Sequence, residues 1–513
     1  MGGLRPSTAF LFRIETVWVL LPLVFVFWTT AVTPIPTDAW WTIATGRLLV
    51  ETRSIPATYP FTFPPQSLKF YDSQWLAQLI YYAPYPLFGL EGVVFVAAAI
   101  ATTTFAVLLF LSWRSSGNIR AASICTLIAG IVAATNLQPR AQTLGFLFFA
   151  LTLWLLGPPA AVASSPAGHQ RWRFVLLFAV EALWANCHGS FFLGPALTTL
   201  LVVGSLAQSA TWAGWRSAVT QPRTAFLVRA GLLQAAAMFA TPFGSDLFTY
   251  VARVSGDPTI RTSVTEWQPT SLQTPTGVLF FLSLLATVLL FVLSRRRVQA
   301  TDALIMLAFG ALGVQAVRNV AWWALAIAPI LAPYAAGILP STVSPASTMR
   351  QTSPVARVCN AIVVGLLSAI AISALPWIKD SNPLLVPDLR GVVSRHDPQE
   401  AAAFLSMHGS CGRVFTLLQW SGYLNWRLWP RCQTMVDAPI EIYPPQVWDD
   451  YWDINTGDES WEKLLDRYSV DLLVLSREEQ SKLIGQIRQN ARWAQIHEDG
   501  IAEIFERAYT RGP

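Results

Sequence analysis

Asp38 stands directly behind the first long apolar run, residues 14–34, in the stretch Pro36-Thr37-Asp38-Ala39-Trp40-Trp41. A carboxylate where an apolar segment reaches the membrane surface is costly unless it holds a helix end or takes part in chemistry. Both roles fit: Thr37 or Asp38 could cap the helix that the pattern starts here. Trp40 and Trp41 read first as interface anchors, because tryptophan prefers the headgroup level. Further along, Arg140, His188, Arg318 and Asn319 fall at the edges of apolar runs, and Glu266 lies in the long loop 242–274. Glu181 lies inside one, seven residues ahead of His188 and so on roughly the same helical face. Polar side chains within or against spans are rare and face a cavity or a partner.

The elements that must position these residues are set by composition. Of 513 residues 53% are hydrophobic and only 13% charged, and the mean hydropathy is +0.44. That excludes a soluble enzyme and predicts a polytopic α-helical membrane protein. The net charge of +5 is no nucleic-acid signal, because many basic residues fall in short loops between apolar runs. No small-residue cleavage pattern follows the first run, so it reads as a retained anchor. The five cysteines lack metal-ligand spacing.

The apolar runs are 14–34, 91–113, 119–136, 141–157, 173–187, 190–208, 226–241, 275–294, 302–317, 321–339 and 356–377, about 11 spans. Arg5 and Arg13, Arg114 and Arg120, Arg171 and Arg173, Arg216 and Arg223, Arg295–Arg297, and Arg350 with Arg357 mark the N-terminus and every second loop. The positive-inside rule makes those segments cytoplasmic. Asp38, Arg140, His188, Glu266, Arg318 and Asn319 then collect on the outer side, the pattern of an outward-facing site. In the first outer loop, 35–90, residues 38–51 and 75–88 read as aromatic-rich helices suited to lying on the membrane. Between them the prolines of Ile55–Pro65 force an extended or turned path.

From about residue 383 the pattern becomes that of a soluble α/β domain, which divides the chain into 1–382 and 383–513. Helices are expected at 398–408, 421–428, 460–468 and 477–490, and strands at 413–418, 433–437 and 470–475, with a final hairpin turning at Asp499-Gly500. An odd number of spans with the N-terminus inside places this domain outside, where Cys411 and Cys432 can pair if their strands are parallel neighbours. Two free thiols are the other reading.

Several stretches have a familiar look in their order along the chain: Asp38-Ala39-Trp40-Trp41 with Gly46-Arg47, Ile55-Pro56 running on to Pro60-Phe61-Thr62-Phe63, and Gln74-Trp75-Leu76-Ala77. Gln138-Pro139-Arg140, Trp184–Ser190, Thr265-Glu266-Trp267, Val317-Arg318-Asn319, Gly412–Phe415 and Trp420–Leu424 continue the series. With them the layout resembles a GT-C superfamily membrane glycosyltransferase. It is most similar to a bacterial group of GT-C-like polytopic proteins with an extracytoplasmic C-terminal domain. The resemblance implies an inverting hexosyl- or pentosyltransferase of the cell envelope. Its donor sugar would ride on a polyprenyl phosphate and pass to a glycan, lipid or protein acceptor on the outer face of a bacterial inner membrane.

That resemblance makes Asp38 the general base, or the group that orients the attacking hydroxyl. Arg140 and Arg318 become the cations for the leaving lipid phosphate, since arginine offers a fixed fork of donors. His188 would bond a phosphate or a sugar hydroxyl, and Glu266 would serve as a second acid or a loop tether. Trp41 and Asn319 complete the substrate contacts. No cofactor, metal or nucleic-acid partner is expected. The sequence departs from the group on the second surface helix, where Ser73, Gln74 and Gln78 replace a His-Glu pair and an acid. Asp72 could substitute only if the helix start shifts.

Plainer roles stand beside each of these. Arg140 and Arg318 could snorkel to lipid headgroups. His188 could satisfy backbone groups where two spans break. Glu266 could pair with Arg253 or Arg261. Trp420, Tyr423, Trp426 and Trp429 could stack on an acceptor or form the core of their own domain. Two rival functions share the layout: a lipid-linked glycan transporter or flippase, and a catalytically inactive envelope scaffold.

Overall fold

The computed structural model describes residues 13–66, 69–157, 171–213, 221–256, 265–339, 353–409 and 411–508. Arg5, Arg216, Arg261 and Arg350 lie outside them. The chain forms two compact units. One holds 1–33, 91–246 and 261–385; the other holds 34–90, 247–260 and 386–513. The first outer loop, placed with the membrane segments by its position in the sequence, therefore folds with the C-terminal domain.

Each of the apolar runs of the sequence coincides with a helix. Among the described residues seven helices are long and apolar enough to cross a membrane: Ile14–Val32, Tyr85–Ser116, Ile119–Asn136, Gly189–Gln208, Pro275–Leu293, Val317–Ala336 and Pro354–Ser373. Ala141–Leu156 and Ala300–Gln315 are apolar but shorter. Sixteen residues reach only about 24 Å at 1.5 Å each, less than a ~30 Å hydrocarbon core. Arg171–Ala185 and Pro222–Ala237 are likewise short, so the expected 11 spans are met as helices but not all as spanning lengths.

Burial within this unit is graded. Along Val320–Ala336 every residue from Val320 to Ala328 is buried, and Trp322 meets Phe146 edge-on with centroids 4.9 Å apart. Trp323 donates its indole N–H to Ser283 Oγ at 2.8 Å. Pro354–Ser373 buries only Asn360 and Leu367, leaving an apolar girth suited to lipid. Some hydroxyls inside the unit bond to their own helices, as Ser112 does to the Leu108 carbonyl at 2.8 Å. Lys379 is fully buried and donates to the Ala31 and Val32 carbonyls at 3.1 and 3.3 Å, closing the end of the first helix.

The second unit is built on a five-stranded sheet, β1 (Gly412–Thr416), β2 (Cys432–Thr434), β3 (Leu472–Ser476), β4 (Trp493–Glu498) and β5 (Ala502–Arg507), in the order β2-β1-β3-β5-β4. β1 pairs in parallel with β2 and β3, and the β4–β5 hairpin closes the far edge antiparallel. Asp499 Oδ1 accepts from the amides of Ile501 and Ala502 and shapes the hairpin turn. Gly412 lies opposite Cys432 in register, and Cys411 and Cys432 form a disulfide with a Cα–Cα distance of 5.1 Å. The proline-rich stretch runs extended along the free side of β2: Phe63 N–H donates to the Thr434 carbonyl, and Thr434 N–H to that of Phe61.

Helices Gln399–Met407, Leu418–Leu428, Trp461–Arg467 and Ser481–Ile487 stand where the pattern sets them. Helix Pro445–Asn455 escaped the sequence reading, although a Pro at its first position with Trp448 and Tyr451 three apart signals it. The second loop helix is Trp75–Tyr82, shorter than expected. Pro84 precludes continuing it unchanged, and a new helix starts at Tyr85 and bends at Gly89, where φ is +67°.

The disulfide closes a loop with a sequence separation of 21, so chain entropy sets its contribution at about 3 kcal/mol. Replacing both Cys411 and Cys432 by serine is expected to lower the unfolding free energy of the full-length protein by that amount. Denaturant titration followed by near-ultraviolet circular dichroism, with the oxidised wild type as reference, measures it.

Candidate active site

Asp38 is the second residue of helix Thr37–Thr52. The N-cap position belongs to Pro36, which has no side-chain donor or acceptor, so neither Thr37 nor Asp38 is the cap. Most of the helix packs inside its unit: Ala39, Trp40, Thr42 through Gly46, Leu48 and Leu49 are all buried. Trp40 is fully buried, donates its indole N–H to Asp397 Oδ2 at 3.2 Å and meets the Tyr423 ring edge-on at 5.0 Å. Trp41 is half-buried beside Tyr59, with centroids 6.4 Å apart. Glycines permit the packing. A Cβ on Gly46 would come within 2.4 Å of the Gln78 carbonyl oxygen, and one on Gly422 within 3.1 Å of Trp40 Cβ. Asp38 is thus held at the head of a rigid helix, half-exposed.

The other site residues belong to the membrane unit and lie where its helices break. Arg140, in extended conformation ahead of helix Ala141–Leu156, is buried. Its Nη1 reaches both carboxylate oxygens of Glu266 at 2.8 and 3.0 Å, and Nη2 donates to Asn136 Oδ1 at 3.4 Å. Glu266 thus has Arg140 as a partner; Arg261, one of the two expected for it, lies outside the described residues. Arg318, in the 3₁₀ turn Val317–Asn319, rests its guanidinium 4.4 Å from the Trp267 ring centroid. Asn319 donates to the Leu312 carbonyl at 3.1 Å, where helix Ala300–Gln315 ends.

His188 connects two helices in extended conformation. Its Nδ1 accepts the Ser190 N–H at 3.1 Å and lies 2.7 Å from Ser190 Oγ, which itself accepts from the Trp184 indole at 3.1 Å. With Nδ1 an acceptor, the ring proton sits on Nε2. Burial, then the nearby charges of Arg318 and Arg140, pull the imidazole down to about 3. His188 is therefore a neutral Nε2–H donor across the physiological range. Glu181 takes no part here: it is fully buried, accepting from Gln234 Nε2 at 3.4 Å, and Gln234 Oε1 accepts from Thr198 at 2.6 Å.

On the second loop helix, Gln74 is the N-cap and Asp72 lies just outside. Asp72 is buried and accepts from Gln78 Nε2 at 2.7 Å. The amide at the position where the group carries an acid thus holds an acid two residues ahead of the cap. Sequence reasoning missed a second buried acid, Asp437, whose Oδ2 accepts from the Tyr59 hydroxyl at 2.7 Å and from Asn425 Nδ2 at 2.8 Å. It also missed Asp397; their partners lie 378 and 357 residues away, and no local spacing signals them. Trp420, Tyr423 and Trp426 are buried core residues, not an exposed stacking surface. Among the described residues no group of three His, Cys, Asp or Glu side chains is placed to hold a metal ion.

Burial raises Asp72 from 3.8 to about 7, against the opposing bonds of Gln78 and the Gln74 amide, and raises Asp397 to about 6. The folded state therefore keeps protons that the unfolded chain releases at lower pH. The stability so conferred is complete below pH ~4 and is lost as pH rises through about 7. The unfolding midpoint of the full-length protein is expected to fall between pH 4.5 and 8, and Asp72→Asn to flatten that slope. Thermal unfolding across the pH series reads both; an unchanged slope in the variant assigns the dependence elsewhere.

The fold recurs in solved membrane glycosyltransferases. The apo oligosaccharyltransferase of Archaeoglobus fulgidus matches with a TM-score of 0.55 at 11% identity, over 91% of this chain and 70% of that one. ArnT from Cupriavidus metallidurans, bound to undecaprenyl phosphate, gives 0.53 at 13% identity over 99% of this chain and 100% of its own. The mycobacterial arabinofuranosyltransferase AftD gives 0.54 at 15% over 97% of this chain and 40% of that one. No protein-family model and no curated protein matches the sequence. At such identities the shared property is the architecture: the chain has the multi-pass fold of the GT-C membrane glycosyltransferases.

Proposed function

We propose that the chain is an inverting glycosyltransferase that moves a sugar from a polyprenyl-phosphate donor to an acceptor on the outer face of a bacterial inner membrane. The observation that supports it most is the cluster of Arg140, Arg318 and the neutral donor His188 at helix breaks of the membrane unit. Two arginines and an imidazole N–H fit a phosphate whose charge grows as it leaves. The archaeal oligosaccharyltransferase has also been solved with dolichol-phosphate. The N-terminus then lies in the cytoplasm and the sheet-containing unit outside, where its disulfide is stable.

In this reading the acceptor hydroxyl gives its proton to the Asp38 carboxylate as its oxygen bonds the anomeric carbon. The anomeric carbon–oxygen bond to the phosphate breaks, and that electron pair stays on the lipid phosphate. Arg318 and Arg140 balance the new charge, and His188 donates Nε2–H to the phosphate or to a sugar hydroxyl. Glu266 orients Arg140 through the bidentate pair, and Asn319 and Trp41 line the substrate. No step runs through a metal, so turnover is expected to survive treatment with EDTA.

Asp38→Asn removes the base and is expected to slow transfer by roughly 10²–10⁴. Mass spectrometry of glycans and carrier lipids in cells carrying wild type, a deletion and Asp38→Asn tests this. The last two should accumulate one and the same polyprenyl-phosphate sugar and lack one and the same decoration. If Asp38→Asn matches wild type while the deletion does not, the acid is structural, and the transporter or scaffold reading takes over.

A further inference from the structure

The sheet-containing unit has a cleft that the transfer chemistry does not use. β1 lies between β2 and β3, so the chain leaves β1 toward one side and returns to β3 on the other. In sheets of this kind the space outside the carboxyl ends of the two parallel strands, where the order reverses, is where ligands bind. A cavity of about 490 Å³ opens there, a volume within the roughly 300–1,000 Å³ of small-molecule sites. Its walls are the segments 34–37 and 394–397, the start of helix Leu418–Leu428, residues 476–479 after β3 and the β4–β5 turn.

These walls are fixed. Ile35 N–H donates to the Val392 carbonyl at 2.9 Å, the Trp420 indole to the His396 carbonyl at 2.7 Å, and the Trp40 indole to Asp397. The lining is rich in acceptors: the carboxylates of Asp397, Glu478 and Glu479, the Gln419 amide and the hydroxyls of Ser394 and Ser476. Arg477 adds little positive charge, because Glu498 at 3.0 Å compensates it and the Asp499 carbonyl takes another of its N–H groups. Such a lining repels phosphates and carboxylates and favours an uncharged or aminated ligand bearing many O–H or N–H donors.

We propose that this cleft binds a saccharide unit of the acceptor, its hydroxyls donating to Asp397, Glu478 and Glu479. The assignment rests on the transferase reading for the word acceptor, and on the cleft alone for the word saccharide. Thr37 is part of the wall and immediately precedes Asp38 on the same helix, so a sugar held here lies at the head of the helix that carries the base. Pro36 and Ile501 supply the apolar contact that a sugar's C–H face needs.

The test uses the full-length protein in nanodiscs and saturation-transfer difference NMR with the methyl glycosides of glucosamine, N-acetylglucosamine, mannose and arabinose. Transfer to at least one glycoside is expected for the wild type, with affinity reduced about tenfold or more in Gln419→Trp, which fills the cleft, and in Glu479→Arg, which inverts its charge. A wild-type unfolding midpoint in both variants shows that they are folded. Silence from all four glycosides, or signals that both variants keep, overturns the proposal. Saccharide binding together with a wild-type glycan profile in Asp38→Asn cells upholds the cleft and removes the transferase reading. The opposite pair of results upholds transfer and removes the cleft.

Discussion

The sheet-containing unit depends on how closely three helices approach at the Asp38 helix. Gly46 lets the backbone of Trp75–Tyr82 come into contact, and Gly422 lets Leu418–Leu428 close over Trp40 and Thr37. With both faces covered, Trp40 is driven fully inside and its indole N–H must find a partner. Asp397 provides it. A single buried hydrogen bond between chain segments 357 residues apart thereby fixes the direction in which the helix points, and with it Asp38. The same bond fixes one wall of the cleft at the strand ends.

Three buried acids of this unit are held by neutral donors, whereas Asp450 and Glu503 are buried against arginines. Asp72, Asp397 and Asp437 are held by an amide, an indole and a phenol with an amide. Neutral donors cost less desolvation than a full ion pair but leave each carboxylate underpaid in charge, so its protonated form is favoured. The membrane unit also shows both arrangements, with Glu181 buried against the Gln234 amide. There Arg140 is buried against Glu266 with two short bonds, because an arginine does not shed its charge and needs an anion or water.

Much of this was legible in the chain. Helix positions followed from apolar runs and charge-marked loops, and β1 and β2 from short β-branched and aromatic segments. The parallel pairing that brings Cys411 to Cys432 was open to reasoning because both cysteines begin their strands. What could not be read were partnerships across large separations: Arg140 with Glu266 at 126 residues, Tyr59 with Asp437 at 378. The packing of the Asp38 helix could not be read either, because Trp40, Trp41 and Leu48 suit an interface as well as a core. Which of them are buried depends on the segments packed against the helix, and one of these, Leu418–Leu428, lies near the other end of the sequence. Asp72 and Gln78 were visible as residues, but their exchange of roles depended on a helix start at Trp75 that spacing alone does not set.

The Arg140–Glu266 pair bears on how the proposed transfer would be driven. An arginine already neutralised by a bidentate carboxylate offers little attraction to a donor phosphate in its resting charge state. Arg318 has a different neighbour, the Trp267 ring, 4.4 Å from its guanidinium. As the phosphate takes on charge during bond cleavage, its pull on Arg140 grows relative to that of Glu266. A cation shared between a fixed carboxylate and a phosphate of increasing charge stabilises the transition state more than the bound donor, and only such a difference accelerates the reaction.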